Sequence, residues 1–412
     1  MMIIEQAITH VADCLKRSVD EIRRLNLYNE GDVTPFQQRL SDVYLDRCWE
    51  EVWASSDYVN RKKAISEFNS KNKYRKRGIA IMPTKFGIAF GARHLNQAGA
   101  LVLVYSDGSV KISHGGTEMG QGLHTKMIQV AATAFNIPIS KIHLSETRTD
   151  TVANTSATAA SASSDLNGMA VLNACEQIME RLKPIQDMLP DGTWEEIVHK
   201  AYFERINLCA NGFYKTPDIG FDWATNKGQL YGYFTYGVAV CEVEIDTLTG
   251  DHSVLRADIN MDIGSPINPA IDVGQIEGAF VQGLGWCTIE ELLISPTTGF
   301  LVTRGPGMYK IPGFKDIPVD FRVTVMEGVK NSKAIHSSKA VGEPPLFMGA
   351  SAFFALKDAI SAARQENGLG SEYFRLDLPA TSEKIRIACA DGFVRAAETP
   401  LKPNERSWSV AA

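Results

Sequence analysis

No two of the seven cysteines stand in C-x-x-C spacing; Cys14, Cys48, Cys175, Cys209, Cys241, Cys287 and Cys389 are scattered and odd in number. That pattern supports neither a disulfide framework nor thiolate-held zinc or iron–sulfur, so the thiols read as buried side chains. The eight histidines contain no H-E-x-x-H pair, which leaves no metal site built from protein ligands. Any metal has to arrive inside a cofactor. Basic residues are not in excess either. The 42 Lys and Arg against 48 Asp and Glu give a net charge of −6, which argues against a nucleic-acid partner bound through its phosphates. There is no run of about eighteen uncharged apolar residues and no signal peptide, so a cytoplasmic protein with no membrane partner is expected.

The chain does have bulk: 412 residues, 44% of them apolar, suffice for a substantial core and two or three domains. Residues 5–27 read as a helix, with Ala7, Val11, Leu15 and Val19 on one apolar face, before the turn-prone Asn29-Glu30-Gly31-Asp32. From 58 to 77 the chain is basic (Arg61, Lys62, Lys63, Lys71, Lys73, Arg75, Lys76 and Arg77), which reads as a solvated helix and linker at a domain boundary. Beyond Gly78 strands dominate. Ala100–Tyr105 and Val110–Ser113 flank the Asp107-Gly108 turn as a hairpin. A second hairpin is marked by Cys241, Val243 and Ile245 alternating with Glu242, Glu244 and Asp246, which predicts one wet face. Helices fit Leu123 to just before Pro138, then 165–183, 272–284 and 349–365. The mixture lacks a regular βαβ rhythm, so the fold class is α+β, with mixed sheets and packed helices.

Five segments can carry chemistry. His114-Gly-Gly-Thr-Glu-Met-Gly-Gln-Gly122 lies between a strand and a helix, where glycines admit a ligand and amides at the helix start can grip an anion or a polar ring. It is not a phosphate-binding P-loop, because Gln121 stands where the lysine should be. A tight structural loop is the alternative. Thr155-Ser-Ala-Thr-Ala-Ala-Ser-Ala-Ser-Ser164 runs into a helix capped near Ser164 or Asp165. It reads either as a flexible linker or as a close-packed cofactor contact. Lys339-Ala-Val-Gly-Glu343-Pro-Pro-Leu-Phe347 holds Glu343 on a stretch made rigid by Pro344, among apolar neighbours that can desolvate the carboxylate and suit it to general-base work. A surface glutamate near a helix dipole is the alternative. Lys85-Phe-Gly-Ile-Ala-Phe90-Gly-Ala92 can present a ring to a planar substrate or belong to the core. Asp262-Ile-Gly-Ser-Pro-Ile-Asn-Pro269, leading to Gln275, places polar groups at a helix start, although Asn268-Pro269 is also an ordinary turn signal.

The order of these segments is similar to that in the C-terminal molybdenum-cofactor portion of the xanthine dehydrogenase and xanthine oxidase family, from near residue 5 to about residue 395. The resemblance implies the fold of that cofactor-binding domain. It also implies a molybdenum held by a pyranopterin (molybdopterin), which accounts for the missing Cys and His ligands. Gly120, Gln121, Ala160 and Gln275 would contact the cofactor, Ala160 approaching the metal through its backbone. Gln121 would meet the oxygen on the metal. Phe90, Gly91 and Ala159 would line the substrate side, and Glu343 would be the catalytic base for hydroxylation with water-derived oxygen.

Gly342-Glu343-Pro344-Pro345 resembles the purine-oxidising branch, which acts on hypoxanthine and xanthine, whereas aldehyde oxidases tend to carry Gly-Glu-Ser-Gly. Gly91-Ala92 stands where purine hydroxylases usually have Thr-Val. This departure removes a hydroxyl and widens the pocket, which brings in nicotinate or another N-heterocycle as an alternative substrate. In this family the complete enzyme also carries two 2Fe–2S clusters, FAD and NAD, and the first half of the molybdenum domain. They are expected in cis or as separate subunits, within a homodimer. Residues 1–57 would then be the tail of the first molybdopterin-binding subdomain, 58–77 a basic linker and 78–412 the second subdomain. A fragment that binds cofactor without turnover is the remaining alternative.

Overall fold

The computed structural model describes residues 1–370 and 373–397, together with the backbone of 410–411. Four helices come first: α1 (Met2–Leu15), α2 (Val19–Leu25), α3 (Leu45–Ser55) and α4 (Tyr58–Lys71). The single helix anticipated over 5–27 is two, because Lys16 takes a left-handed φ of 53° and ends the first. The chain continues through β1 (Arg75–Ile88), β2 (Gln97–Val104), β3 (Val110–His114), α5 (Leu123–Phe135), β4 (Ile142–Leu144), α6 (Ser163–Met188), α7 (Trp194–Phe203) and β5 (Cys209–Lys215). A short hairpin, β6 (Gly220–Asp222) and β7 (Lys227–Gln229), precedes the long pair β8 (Tyr233–Asp246) and β9 (His252–Asp262). Then come α8 (Pro269–Thr288), β10 (Leu293–Ile294), β11 (Asp320–Val325), α9 (Ala350–Glu366), α10 (Ser382–Ala388), α11 (Gly392–Ala397) and β12 (Val410–Ala411).

Two four-stranded mixed sheets organise the chain, as an α+β fold requires. One runs β1-β8-β9-β11, antiparallel except for the β9/β11 edge. The other runs β4-β3-β2-β5, antiparallel except for β3/β4. Alternation along β8 sends Tyr236, Val238 and Val240 to a core shared with Trp49 and Val52 of α3. Cys241, Val243 and Ile245 join Phe354 and Leu356 of α9 on the opposite face. The wet face anticipated for this strand is therefore confined to its end; its first nine residues are buried because both faces are covered. In the second sheet α6 lies directly on β5. A Cβ on Gly212 would come within 1.9 Å of the Ala170 carbonyl oxygen, so only glycine allows the helix to sit there. The Leu346–Glu366 stretch is long and apolar enough to cross a membrane by composition, but 78% of its apolar 18-residue window is buried within the fold, as befits a core helix.

The basic stretch 58–77 holds the helix anticipated there, but its charges are not left to solvent. It forms α4 and the start of β1, and its charges meet the acidic residues of the neighbouring strands. Arg61 bonds Glu242 Oε2 and Asp258 Oδ2 at 2.8 Å each, and Arg77 bonds Glu244 Oε2 at 2.8 Å. Lys76 is buried, donating to Asn69 O (2.7 Å) and Asn72 O (2.6 Å) and pairing with Glu366. The run of like charge is thus neutralised across the sheet rather than by solvent. Residues 40–65 share one core with β1 and β8, so the packing shows no boundary at 58–77. Replacing Arg61 by Ala leaves two half-paired, largely buried carboxylates. It is expected to destabilise the fold by about 2–4 kcal/mol, read from urea unfolding; a solvated linker arginine would cost almost nothing.

Candidate functional site

The cavity with the greatest chemical content, ≈ 330 Å³, is lined by residues from widely separated segments. Gln121, Ala159, Ala160, Gln275 and Glu343 all line it, so five of the sequence-anticipated site residues come together. Gly120 adjoins Met119 and Gln121 of the lining, is exposed, and has open space where a Cβ would be. Phe90 and Gly91 are not in this lining. Their neighbours Ile88, Ala89 and Asn96 line a second cavity, ≈ 150 Å³, that shares Asp165 with the first. Buried Asn96 fixes that loop: its Oδ1 accepts the Phe90 N–H at 2.9 Å and its Nδ2 donates to Phe90 O at 2.9 Å.

The glycine-rich loop at 114–122 is held by its own side chains. His114 Nδ1 accepts the Gly116 N–H at 3.1 Å, which puts the ring proton on Nε2, facing His124 Nδ1 at 3.1 Å. Burial pushes the His114 imidazole down to about 4, so it is neutral at ordinary pH. Glu118 accepts the N–H groups of Gly120, Gly122 and His124 at 2.9 Å each. Burial pushes that carboxyl up, but the three backbone donors outweigh it and the net shift is downward. The amides anticipated to grip a ligand at the start of α5 are thus already occupied by Glu118. The sequence cue was a carboxylate just ahead of a helix. The Gln121 amide closes the loop further, with Oε1 accepting from Met119 N (2.5 Å) and Nε2 donating to Thr117 O (2.8 Å). One N–H of that amide has no partner among the described residues.

The Ser- and Ala-rich stretch is docked, not a flexible linker. Thr158 Oγ1 accepts the Thr117 N–H at 2.9 Å, joining it to the glycine loop. Ala160 and Ser161 both take left-handed φ values, 55° and 53°, which cost non-glycine residues of order 1 kcal/mol each. The helix after them starts at Ser163 with no side-chain cap from Ser164 or Asp165. On the third side Asn268 caps α8, accepting the Ile271 N–H at 3.1 Å, and Pro269 occupies the first turn. Lys126 pairs with Asp272 there, tying α8 to α5 in a buried contact. The Gln275 amide has no hydrogen-bond partner among the described residues.

Lys339 Nζ meets Asp262 Oδ2 at 2.5 Å, both buried, and the Lys339 N–H bonds Ile263 O at 2.8 Å. This places the 339–343 segment against the end of β9. Further along, a Cβ on Gly283 of α8 would strike Leu346 O at 1.9 Å, so the turn after Glu343 rests on that helix. Glu343 itself is exposed, contrary to the water-poor niche anticipated for it. The reason is its place on the cavity rim: Pro344 and Pro345 are buried, but the described chain supplies no cover over Gly342 and Glu343. Its Oε2 accepts from Ser161 Oγ at 2.8 Å, across 182 residues of sequence.

A cavity of ligand size, lined by small and polar residues, with free amide donors and a strained backbone at its wall, is what a bulky organic cofactor needs. Among the described residues no group of three His, Cys, Asp or Glu side chains can take a bare ion, so the donor set fits a metal carried by its own organic ligand. Fold and site together define a domain that houses such a cofactor. The chain belongs to the molybdopterin cofactor-binding domain family, which matches it over residues 51–318.

It is 57% identical to a xanthine dehydrogenase/oxidase of Gallus gallus over 412 residues, all of this chain and 30% of that protein. It is 56% identical to one of Rattus norvegicus over 411 residues, 100% of this chain and 31% of that protein. The match falls on their C-terminal, molybdopterin-binding portion, so the chain spans about 30% of the relatives' length. Among solved structures, the aldehyde oxidoreductase of Desulfovibrio desulfuricans superposes with a TM-score of 0.77 at 25% identity, covering 93% of this chain and 40% of that one. The quinoline 2-oxidoreductase of Pseudomonas putida has the same fold, with a TM-score of 0.79 at 21% identity, 93% of this chain and 51% of that one.

One buried acid at the cavity makes a test of this architecture. Burial pushes the Asp165 carboxyl up to about 7 from its ordinary 3.8, although the Tyr233 hydroxyl (2.6 Å) and Lys126 pull it down. A folded-state value above the unfolded one means that its contribution to stability is fully present below about pH 4 and is lost as pH rises through 7. Asp165→Asn, which cannot ionise, is expected to gain on the wild type by ~2–4 kcal/mol between pH 4 and 8. Urea unfolding at a series of pH values reads this directly; parallel stability curves would mean that the carboxyl is not desolvated.

Proposed function

We propose that this chain is the C-terminal molybdenum-cofactor part of a hydroxylase of the xanthine dehydrogenase type, oxidising a purine such as hypoxanthine or xanthine with water-derived oxygen. The observation that carries the proposal is that Glu343 shares one cavity with Gln121, Ala160 and Gln275, residues from four separate segments. When bound, molybdopterin supplies a metal that makes water nucleophilic and takes up the electron pair removed from the substrate carbon.

The chain's own residues do the rest. Gln121 and Gln275 offer amide hydrogen bonds to the cofactor. Ala159 and Ala160 leave room for it and, with Gly120, bring backbone close. Glu343 is the general base, accepting the proton from the attacking water at Oε1, since Oε2 is engaged by Ser161. The exposed rim at Glu343 would be covered by the first half of the molybdenum domain, which belongs to the larger part of the relatives' length that this chain does not span. In the same reading the 2Fe–2S clusters, FAD and NAD site come from that larger part, within a cytoplasmic homodimer. Phe90 would reach the substrate from the neighbouring cavity.

A second substrate class is favoured by one observation. A Cβ on Gly91 would meet nothing within 4 Å, so the position next to Phe90 has space for a ring substituent, as nicotinate or a related N-heterocycle would need.

Glu343→Gln in the full-length, cofactor-loaded protein is expected to lower kcat by about 10²–10⁴-fold while molybdenum content is retained. Undiminished turnover of hypoxanthine, xanthine and nicotinate alike would remove Glu343 as the base, and a preference for nicotinate would move the assignment to the second class.

A further inference from the structure

Ser161 makes two hydrogen bonds to the same residue. Its Oγ accepts the Glu343 N–H at 2.8 Å and donates to Glu343 Oε2 at 2.8 Å. A hydroxyl has one proton and two lone pairs, so both bonds are satisfied at once. Together they clamp the carboxylate to its own backbone, freezing side-chain rotation that an exposed glutamate otherwise keeps. The clamp has a cost, since Ser161 and the preceding Ala160 both sit at left-handed φ. Such strain persists only where the surroundings over-determine the geometry.

Gly342 is part of the arrangement. A Cβ there would stand 3.1 Å from Ser161 Oγ, crowding the hydroxyl that the next residue needs. The other carboxylate oxygen, Glu343 Oε1, has no hydrogen-bond partner among the described residues.

We propose that Ser161 is a positioning residue for the reaction: it occupies Oε2, holds the Glu343 side chain in one rotamer at the cavity rim, and so leaves Oε1 as the oxygen that receives the proton. The inference rests on the reading of Glu343 as general base and adds which residue aims it. Ser161 needs no contact with substrate for this role. A purely structural part for Ser161 would affect folding or cofactor retention, whereas aiming a base affects the chemical step.

The two are separated in the full-length, cofactor-loaded protein by Ser161→Ala, Glu343→Gln and the double variant. Ser161→Ala is expected to lower kcat by about 10- to 100-fold, with KM within about threefold of wild type and molybdenum content and thermal unfolding midpoint unchanged. A crystal structure of Ser161→Ala should show Glu343 spread over several rotamers. In the Glu343→Gln background the same substitution should cost less than about twofold, because there is no base left to aim. Four results overturn the proposal: unchanged kcat in Ser161→Ala, loss of molybdenum from that variant, an equal loss in both backgrounds, or an unmoved Glu343 rotamer in its crystal structure. Full activity of Glu343→Gln would instead remove the base itself, and with it the role of Ser161. A defect confined to Ser161→Ala while Glu343→Gln is impaired as expected bears on Ser161 alone.

Discussion

The buried ion pair between Lys339 and Asp262 is the constraint on which the site depends. It joins the last residue of β9 to the segment that ends in Glu343, at 2.5 Å and with both side chains inside the protein. Burial pushes the Asp262 carboxyl up, and Lys339 opposes that shift, so neither charge is tolerable there without the other. Such a pair adds little net stability, but it is demanding in geometry. The sheet β1-β8-β9-β11 is fixed by its own ladder and by α3 and α9; the pair carries that rigidity out to residue 339 and, four residues on, to the carboxylate.

Around this anchor the protein settles its polar groups locally before any ligand arrives. Glu118 takes three amides of the glycine loop, Gln121 closes the loop on itself, and Asn96 ties the loop that carries Phe90. Among the described residues, the polar groups at the cavity left without a hydrogen-bond partner include one N–H of Gln121, the Gln275 amide and Glu343 Oε1. A pre-formed cavity with few free polar groups makes only a few strong demands on its ligand, which is how a site selects a large cofactor over water. Left-handed backbone occurs at Ala160 and Ser161 and again at His336 and Ser337, with φ of 48° and 61°, just before Ser338 of the cavity lining. At Ala160 and Ser161 strained non-glycine backbone lines the cavity itself, where close approach matters more than backbone comfort.

Glu343 is exposed at the cavity rim rather than enclosed in an apolar niche. In this chain the carboxylate is oriented by hydrogen bonds to Ser161 rather than by exclusion of water. Orientation and desolvation are separable contributions, and only the first is built from residues within these 412.

Much of the architecture was legible in the amino-acid order. Helices over 165–183, 272–284 and 349–365, the two hairpins and the glycine loop between strand and helix all occur, within a few residues at their ends. These depend on local periodicity and turn chemistry, which short stretches of chain determine alone. The cofactor class was legible too, through the resemblance of the ordered motifs to those of a known family. Pairing across the fold was not. The basic run 58–77 looked like a linker because its partners, Glu242, Glu244 and Asp258, lie far along the chain. The glycine-loop amides looked free because nothing in the spacing shows that Glu118 folds back onto them. Ser161 was one hydroxyl among several until the tertiary structure set it 2.8 Å from Glu343. The sequence by itself determined most of the elements and, through a family resemblance, the kind of ligand; only the tertiary structure decided which groups stay free to meet it, because hydrogen bonds and charges are satisfied by neighbours in space and not by neighbours in the chain.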